Sequence, residues 1–122
     1  MKVILAGSRT ITDIHALETA IRDAGFTITA VVCGEAPGVD RLGRRWAERH
    51  KIPVASFPAD WTKDGHRAGY KRNQRMAAYA DALIAVWDGE SVGTPHMIGV
   101  ALAAGLKIHI HTVGKNSEGV NE

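Results

Sequence analysis

Cysteine, long apolar runs and a strong charge bias are scarce or missing in this chain of 122 residues. Its one cysteine, Cys33, excludes an intramolecular disulfide framework and a zinc site built from several thiolates. The chain has no run of about eighteen apolar residues and no signal-peptide layout at its N-terminus. We therefore expect a cytoplasmic protein without membrane contact, with one domain over residues 1–113 and a flexible polar tail over 114–122.

The net charge is also small, and aromatic residues are few. The formal net charge is +2, which is too small to indicate nucleic-acid binding by itself. Aromatic residues make up 6% of the chain, and few of them fall in predicted exposed loops where they could stack on bases. Basic residues are concentrated over 41–49 and 63–75, which predicts a positively charged side rather than a basic protein.

Apolar runs and helical periodicity alternate along the chain. Strand-like patterns cover residues 2–7, 27–33, 52–57, 80–89 and 107–113. Helical spacing covers residues 12–25, 38–50, 70–80 and 94–105, with Thr12 and Thr94 as the expected N-caps of the first and last helix. The alternation predicts an α/β fold with a mostly parallel sheet of about five strands and helices on both faces. The helix over 94–105 is apolar almost all round, which favours a homodimer or higher homo-oligomer.

Three glycine-containing loops follow predicted strands. We call them the first loop (residues 6–10, "AGSRT"), the second loop (33–40, "CGEAPGVD") and the third loop (87–94, "WDGESVGT"). In a doubly wound sheet such loops meet at the carboxyl ends of the strands, where ligands bind. Helix N-termini at that edge favour an anion, and glycine lets the backbone approach it closely.

Five segments, "AGSR", "GEAPGVD", "FPADW", "KRNQRM" and "SVGT", occur in the order and spacing of the SLOG superfamily, which includes the SMF/DprA and LOG proteins. From about residue 2 to 113 the chain most resembles the YspA-like, cpYpsA-related branch, which is common in bacteria and phages. The resemblance implies a Rossmann-like domain that binds a nucleotide or nucleotide-derived small molecule at the strand carboxyl ends. A role as sensor, sequestering module or nucleotide-processing enzyme is compatible with it.

The expected ligand-binding residues come from the three loops, the connection after the third strand and the helix over 70–80. They are Gly7, Ser8, Arg9, Gly34, Glu35, Ala36, Gly38, Asp40, Asp60, Trp61, Arg72, Asn73, Ser91, Gly93 and Thr94. We expect amides of the second and third loops to hold phosphate, Arg9 and Arg72 to neutralise its charge, and one acid of the second loop to contact the sugar. The long connection is suited to cover a base or ribose. No cofactor is expected.

Cleavage of nucleoside monophosphates, as in phosphoribohydrolases of the LOG branch, is one alternative function. The LOG motif has two glutamates after Gly-Thr, whereas Gly93-Thr94 is followed here by "PHM", so the resemblance stops at the expected catalytic acids. A negative charge near the ribose would have to come from a carboxylate outside this motif. The carboxylates that could supply this charge are Glu35, Asp40, Asp60 and Asp88. His96 is a candidate general acid. Whether the protein is an enzyme, and which residues are catalytic, is left open.

Single-stranded DNA binding, as in the similar DprA proteins, is a second and less favoured alternative. It would use the arginines of 41–49 and 67–75 and predicts affinity that falls steeply with salt. His109 and His111 alternate on a predicted strand without a third ligand, so we expect no metal site. We expect Cys33 to be a small buried residue rather than a nucleophile.

Overall fold

The computed structural model describes residues 1–114, whose strands form one five-stranded sheet. The strands are β1 (Lys2–Gly7), β2 (Ala30–Cys33), β3 (Val54–Ser56), β4 (Ala82–Trp87) and β5 (Lys107–Thr112). Their order is β3-β2-β1-β4-β5, and every neighbouring pair is parallel. The predicted α/β, Rossmann-like fold class is therefore confirmed. The predicted flexible tail lies, from residue 115 onward, outside the described residues.

The helices are α1 (Ile14–Ala24), α2 (Val39–Arg49), α3 (Trp61–Asp64), α4 (Ala68–Tyr79) and α5 (Gly93–Ala103), with a 3-10 turn over Gly65–Arg67. Asp13 rather than Thr12 caps α1, because the Asp13 carboxylate accepts a hydrogen bond from the His15 N–H at 2.9 Å. Gly25 ends this helix in the left-handed conformation, with φ of 69°. The short helix α3 and the 3-10 turn lie within the predicted long connection.

The two faces of the sheet are covered by different helices. Side chains alternate between the faces of a strand, so Val3 and Leu5 of β1 pack with α1 and α2. Ile4 of β1 packs on the other face with Met76 of α4 and Met97 of α5. These central strands are buried on both sides, which explains why their sequences are continuous apolar runs rather than alternating ones.

The strand order positions the site. β1 pairs with β2 on one side and with β4 on the other, while the chain passes from β3 across the sheet to β4. A crevice therefore opens between the carboxyl ends of β1 and β4, where helices leave toward opposite faces.

The helix α5 is covered on one side only. Met97 and Ala101 are buried against the sheet, whereas the side chain of Leu102 is 69% exposed. The homo-oligomer inferred from this apolar helix stays a prediction. No helix among residues 1–114 is long and apolar enough to cross a membrane.

Candidate functional site

The carboxyl edge of the sheet opens into a cavity of about 350 Å³, here called the main cavity. All three loops contribute to it, together with α3, α4 and α5. Ten of the fifteen predicted site residues line it: Gly7, Arg9, Ala36, Asp40, Trp61, Arg72, Asn73, Ser91, Gly93 and Thr94. The fold thus brings together loops that are up to 80 residues apart, because parallel strands end at one edge.

Asp88 organises the third loop. Its carboxylate accepts hydrogen bonds from the backbone N–H groups of Ser91 and Glu90, both at 2.8 Å, and from the Ser91 hydroxyl at 2.9 Å. The bonds from these amides lower the pKa of Asp88, so the carboxylate is ionised at neutral pH. The Trp87 indole N–H donates to the Ser91 carbonyl at 2.9 Å. These contacts fix the chain that leads into α5.

The N-terminus of α5 has no side-chain cap. The helix begins at Gly93, and Val92 at the N-cap position makes no side-chain hydrogen bond. The prediction that Thr94 caps this helix is wrong, because Thr94 lies inside the first turn. Pro95 has no N–H, so the amides of Gly93 and Thr94 are the first-turn donors that point out of the helix without an intrahelical acceptor.

The Thr94 side chain adds a buried hydroxyl to this wall. Thr94 is 4% exposed and lines the main cavity, yet its hydroxyl has no hydrogen-bond partner within residues 1–114. An unpaired buried hydroxyl costs about 1–3 kcal/mol. Gly93 beside it has no atom within 4 Å of the point where a side chain would start. The exposed Arg9 also lines the cavity, so amides, a hydroxyl and a guanidinium share this region.

In the second loop, the backbone amides are directed at a carboxylate of the protein itself. Asp40 is 5% exposed, and the backbone amides of Ala36, Gly7 and Gly34 lie near its carboxylate and favour its charged form. Burial raises the pKa of Asp40 to about 6, although the Arg72 charge and these amides act in the opposite direction. The amides that we expected to hold phosphate here therefore lie beside a buried carboxylate, whose charge disfavours a second anion.

Arg72 crosses from α4 to the second loop. Its guanidinium Nη1 donates to the Gly34 carbonyl at 2.6 Å, and its Nε donates to Asn73 Oδ1 at 3.0 Å. A Cβ on Gly34 would lie 2.6 Å from Nη1, so only glycine leaves room for this buried arginine. Burial lowers the pKa of Arg72, and the Asp40 charge opposes that effect.

The hydrogen bonds of Asn73 continue to His96. Because Asn73 Oδ1 accepts from Arg72 Nε, the other end of the amide is Nδ2, which lies 3.0 Å from His96 Nδ1. The amide Nδ2 donates, so His96 Nδ1 accepts and the ring proton is on Nε2. Burial lowers the pKa of His96, which agrees with a neutral ring. The His96 ring in turn lies against Tyr70, with centroids 4.2 Å apart.

Glu35 faces away from the main cavity. The Arg44 Nε donates to both carboxylate oxygens of Glu35, at 3.1 and 3.0 Å, and the Ser56 hydroxyl donates at 2.6 Å. The bonds from Arg44 lower the pKa of Glu35 to about 2. These contacts hold Glu35 at a φ of 64°, which is rare for a residue with a side chain. Its carboxylate is therefore less available to a ligand than that of Asp40.

The five predicted residues outside the main cavity fall into two groups. Gly34 and Glu35 line a smaller neighbouring cavity of about 250 Å³, the side cavity, which shares Arg9 and Arg72 with the main one. Ser8, Gly38 and Asp60 line neither cavity.

These three residues hold the walls in position. The Ser8 hydroxyl accepts from the Asp88 N–H at 2.9 Å and joins the first loop to the third. Gly38, with φ of +81°, lies so close to the first loop that a Cβ would be 2.3 Å from the Ser8 carbonyl oxygen. The Asp60 carboxylate caps α3 by accepting from the Lys63 N–H at 3.1 Å.

Sequence reasoning missed several residues that line the main cavity. They are Ala6, His66, Gly69, Tyr70, Met76, Val92 and Met97. Gly69, Arg72, Asn73 and Met76 are spaced as one face of a helix, so extending that face by one turn from Arg72 would have found Gly69. The position of Tyr70 depends on its contact with His96 of α5, which no local pattern indicates.

The two basic clusters do not form one surface. Arg41, Arg45 and Arg49 are exposed on α2, which packs on one face of the sheet. Lys71 and Arg75 are exposed on α4, which packs on the other face. A nucleic-acid strand that used both clusters would have to pass around the sheet, so this arrangement gives the DprA-like alternative no support.

The described part of the chain has no group of metal ligands, and its cysteine is unsuited to nucleophilic chemistry. Among residues 1–114, no three His, Cys, Asp or Glu side chains are grouped as ligands of a metal ion. Cys33 is fully buried, and burial together with the Glu35 carboxylate raises the pKa of its thiol to about 12. A thiol with so high a pKa is a poor nucleophile at neutral pH.

Comparison with known proteins identifies the family. The model of the family described as "YspA, cpYpsA-related SLOG family" matches residues 1–63, just over half of the chain. The gene 61 protein of Mycobacterium phage D29 is 34% identical over 116 residues, which cover 88% of this chain and 93% of the phage protein. The chain therefore belongs to the YspA, cpYpsA-related SLOG family.

Proposed function

We propose that the protein binds a nucleotide or nucleotide-derived small molecule in the main cavity, with a phosphate at the N-terminus of α5. One observation carries this proposal: within residues 1–114 the buried Thr94 hydroxyl lacks a partner, and it lies beside the open amides of Gly93 and Thr94. A phosphate oxygen would accept hydrogen bonds from all three groups, and the helix dipole favours its charge.

The charges that line the main cavity agree with an anionic ligand. Asp40 and Arg72 balance each other, and Arg9 adds a positive charge. Because the second-loop amides lie beside the Asp40 carboxylate, the proposal assigns the phosphate to the third loop alone. Asp40 is then the carboxylate available for a ribose hydroxyl, since Glu35 is bound by Arg44 and Ser56.

Replacing Thr94 with valine tests the phosphate site. The change keeps the shape of the side chain and removes only the hydroxyl. Wild type and Thr94→Val are titrated calorimetrically with mono-, di- and cyclic nucleotides, ADP-ribose and NAD. A hydrogen bond to a charged group contributes about 1.5–3 kcal/mol, so we expect the affinity of the bound nucleotide to fall roughly 10- to 100-fold. The unliganded variant should be as stable as wild type or up to about 1 kcal/mol more stable in urea, because no protein hydrogen bond is lost.

Thr112→Val is the matched control, because Thr112 is exposed on β5 and lines no part of the main cavity. It should leave the affinity unchanged. A wild-type protein that binds no member of the panel, or a Thr94→Val variant with wild-type affinity, contradicts the proposal. In a thermal-shift version, ligand at 100 times its Kd should stabilise the wild type by about 2.7 kcal/mol.

Hydrolysis of the N-glycosidic bond is a second candidate function, and Asp40 is the observation that favours it. A buried carboxylate that lines a cavity, with its pKa raised to about 6, has the environment of a group used in acid–base chemistry or in stabilising positive charge at a ribose. Chromatography of the same nucleotide mixtures distinguishes the two functions, since hydrolysis releases free base and binding alone does not.

A further inference from the structure

The main cavity has a second kind of wall, made of aromatic side chains from α3 and the first turn of α4. Trp61 and Tyr70 both line the cavity, and they are 54% and 51% exposed. About half of each aromatic residue therefore has no protein contact. Exposed aromatic surface inside a cavity is apolar area that a ligand can cover.

The Tyr70 ring is held in position from α5. The His96 ring lies 4.2 Å from it, and His96 is itself fixed by Asn73, whose amide is oriented by Arg72. A ring that is supported in this way loses little freedom when a ligand stacks on it.

Gly69 borders the space between Trp61 and Arg72. Gly69 lines the cavity, and a Cβ there would lie 3.7 Å from the Trp61 indole and 3.6 Å from the Arg72 guanidinium. Indole and guanidinium groups both stack on flat, electron-rich rings. The space at Gly69 is therefore bounded by two groups suited to a planar heteroaromatic ring.

The volume of the main cavity accommodates one nucleotide unit. Ligand sites span about 300–1,000 Å³, and 350 Å³ lies within that range. The side cavity of about 250 Å³ adjoins it at Arg9, Ala36, Trp61 and Arg72, so the main cavity alone does not set the size of the whole ligand.

We infer that one nucleotide unit of the ligand fills the main cavity and that its base stacks on the aromatic wall of Trp61 and Tyr70. The inference rests on the proposed function, which supplies the phosphate at α5. The aromatic wall then selects for the base, and the α5 N-terminus selects for the phosphate.

Ribose 5-phosphate is the probe that separates the two walls, because it has the phosphate and sugar but no base. We compare its affinity for the wild type with those of AMP, GMP, CMP and UMP by calorimetry. Stacking one base should make at least one of the four nucleotides bind about 5- to 100-fold more tightly than ribose 5-phosphate. Trp61→Leu and Tyr70→Leu should each reduce that ratio.

Tyr79→Leu is the matched control, since Tyr79 is a partly exposed aromatic residue of the same helix that lines no part of the main cavity. It should keep the wild-type ratio. If ribose 5-phosphate binds as tightly as every nucleotide, the inference about the base is wrong while the phosphate site stands. If neither probe binds, the proposed function fails and this inference fails with it. The wild-type comparison is decisive even if a variant does not fold.

Discussion

The second and third loops share a sheet edge and a glycine-containing sequence, but their polar groups have different partners. In the second loop, the amides lie near the Asp40 carboxylate and favour its charge, the Gly34 carbonyl accepts from Arg72, and Glu35 accepts from Arg44. In the third loop, Asp88 fixes the chain, and two amides and the Thr94 hydroxyl in the first turn of α5 have no partner among the described residues 1–114. The second loop is internally satisfied, and the third is open.

This difference shows that the number of charged residues in a loop is a poor guide to where an anion binds. Each of the two loops has two acidic residues, and the fold uses those of the second loop to join α2, α4 and the sheet edge. The binding site is indicated by polar groups that lack a partner in the folded protein. Suitable chemistry in a loop is not enough by itself.

Replacing Arg72 with methionine should have the largest effect on the second loop. The variant loses the hydrogen bond to Gly34 and leaves Asp40 buried without its counter-charge. Leaving a buried polar group without its partner costs about 1–3 kcal/mol, and more for a charged group, so we expect the free energy of unfolding in urea to fall by about 3 kcal/mol. Arg75→Met, at an exposed position of the same helix, should change it by less than about 0.5 kcal/mol. Equal effects of the two changes would mean that Arg72 is not the internal partner described above.

Alanine at Gly38 and at Gly93 compares the two loops directly. At Gly38 the new Cβ would approach the Ser8 carbonyl at 2.3 Å on a backbone with φ of +81°, so we expect a loss of about 2–4 kcal/mol. At Gly93 there is open space, and alanine should be neutral or stabilise α5 by up to about 1 kcal/mol. Urea unfolding measures both changes. A Gly93→Ala variant as unstable as Gly38→Ala would show that the third loop is packed rather than open.

The pH dependence of stability should report the buried Asp40. Its pKa is raised from 3.8 to about 6, so between these values the folded protein keeps a proton that the unfolded chain has released. Its ionisation therefore makes the folded state less stable as pH rises from about 4 to 6, by on the order of 2 kcal/mol. The wild type minus Asp40→Asn difference in unfolding free energy should change with pH in this window and level off above it. A difference that is flat from pH 4 to 7 would mean that Asp40 titrates normally.

Most of the elements were predictable because their signals are local. β1 and β4 are continuous apolar runs, α1 has a clear apolar face, and Gly25 ends it as expected. The errors lie at helix starts, where Asp13 and not Thr12 caps α1, and where α5 begins before Thr94. A capping residue one or two positions away has the same local pattern, and the packing of the helix decides between them.

The amino-acid sequence by itself determined the parallel α/β architecture, the family and the three loops that share one sheet edge. Periodicity and glycine positions are local signals, and loops that follow parallel strands must meet at one edge. Only the tertiary structure decided which of those loops is open. Arg72 reaches the Gly34 carbonyl across 38 positions of the chain, and amides of both the first and second loops lie near the Asp40 carboxylate. A polar group is free to bind a ligand only if nothing distant in sequence has already satisfied it, and the folded arrangement sets those distant partners.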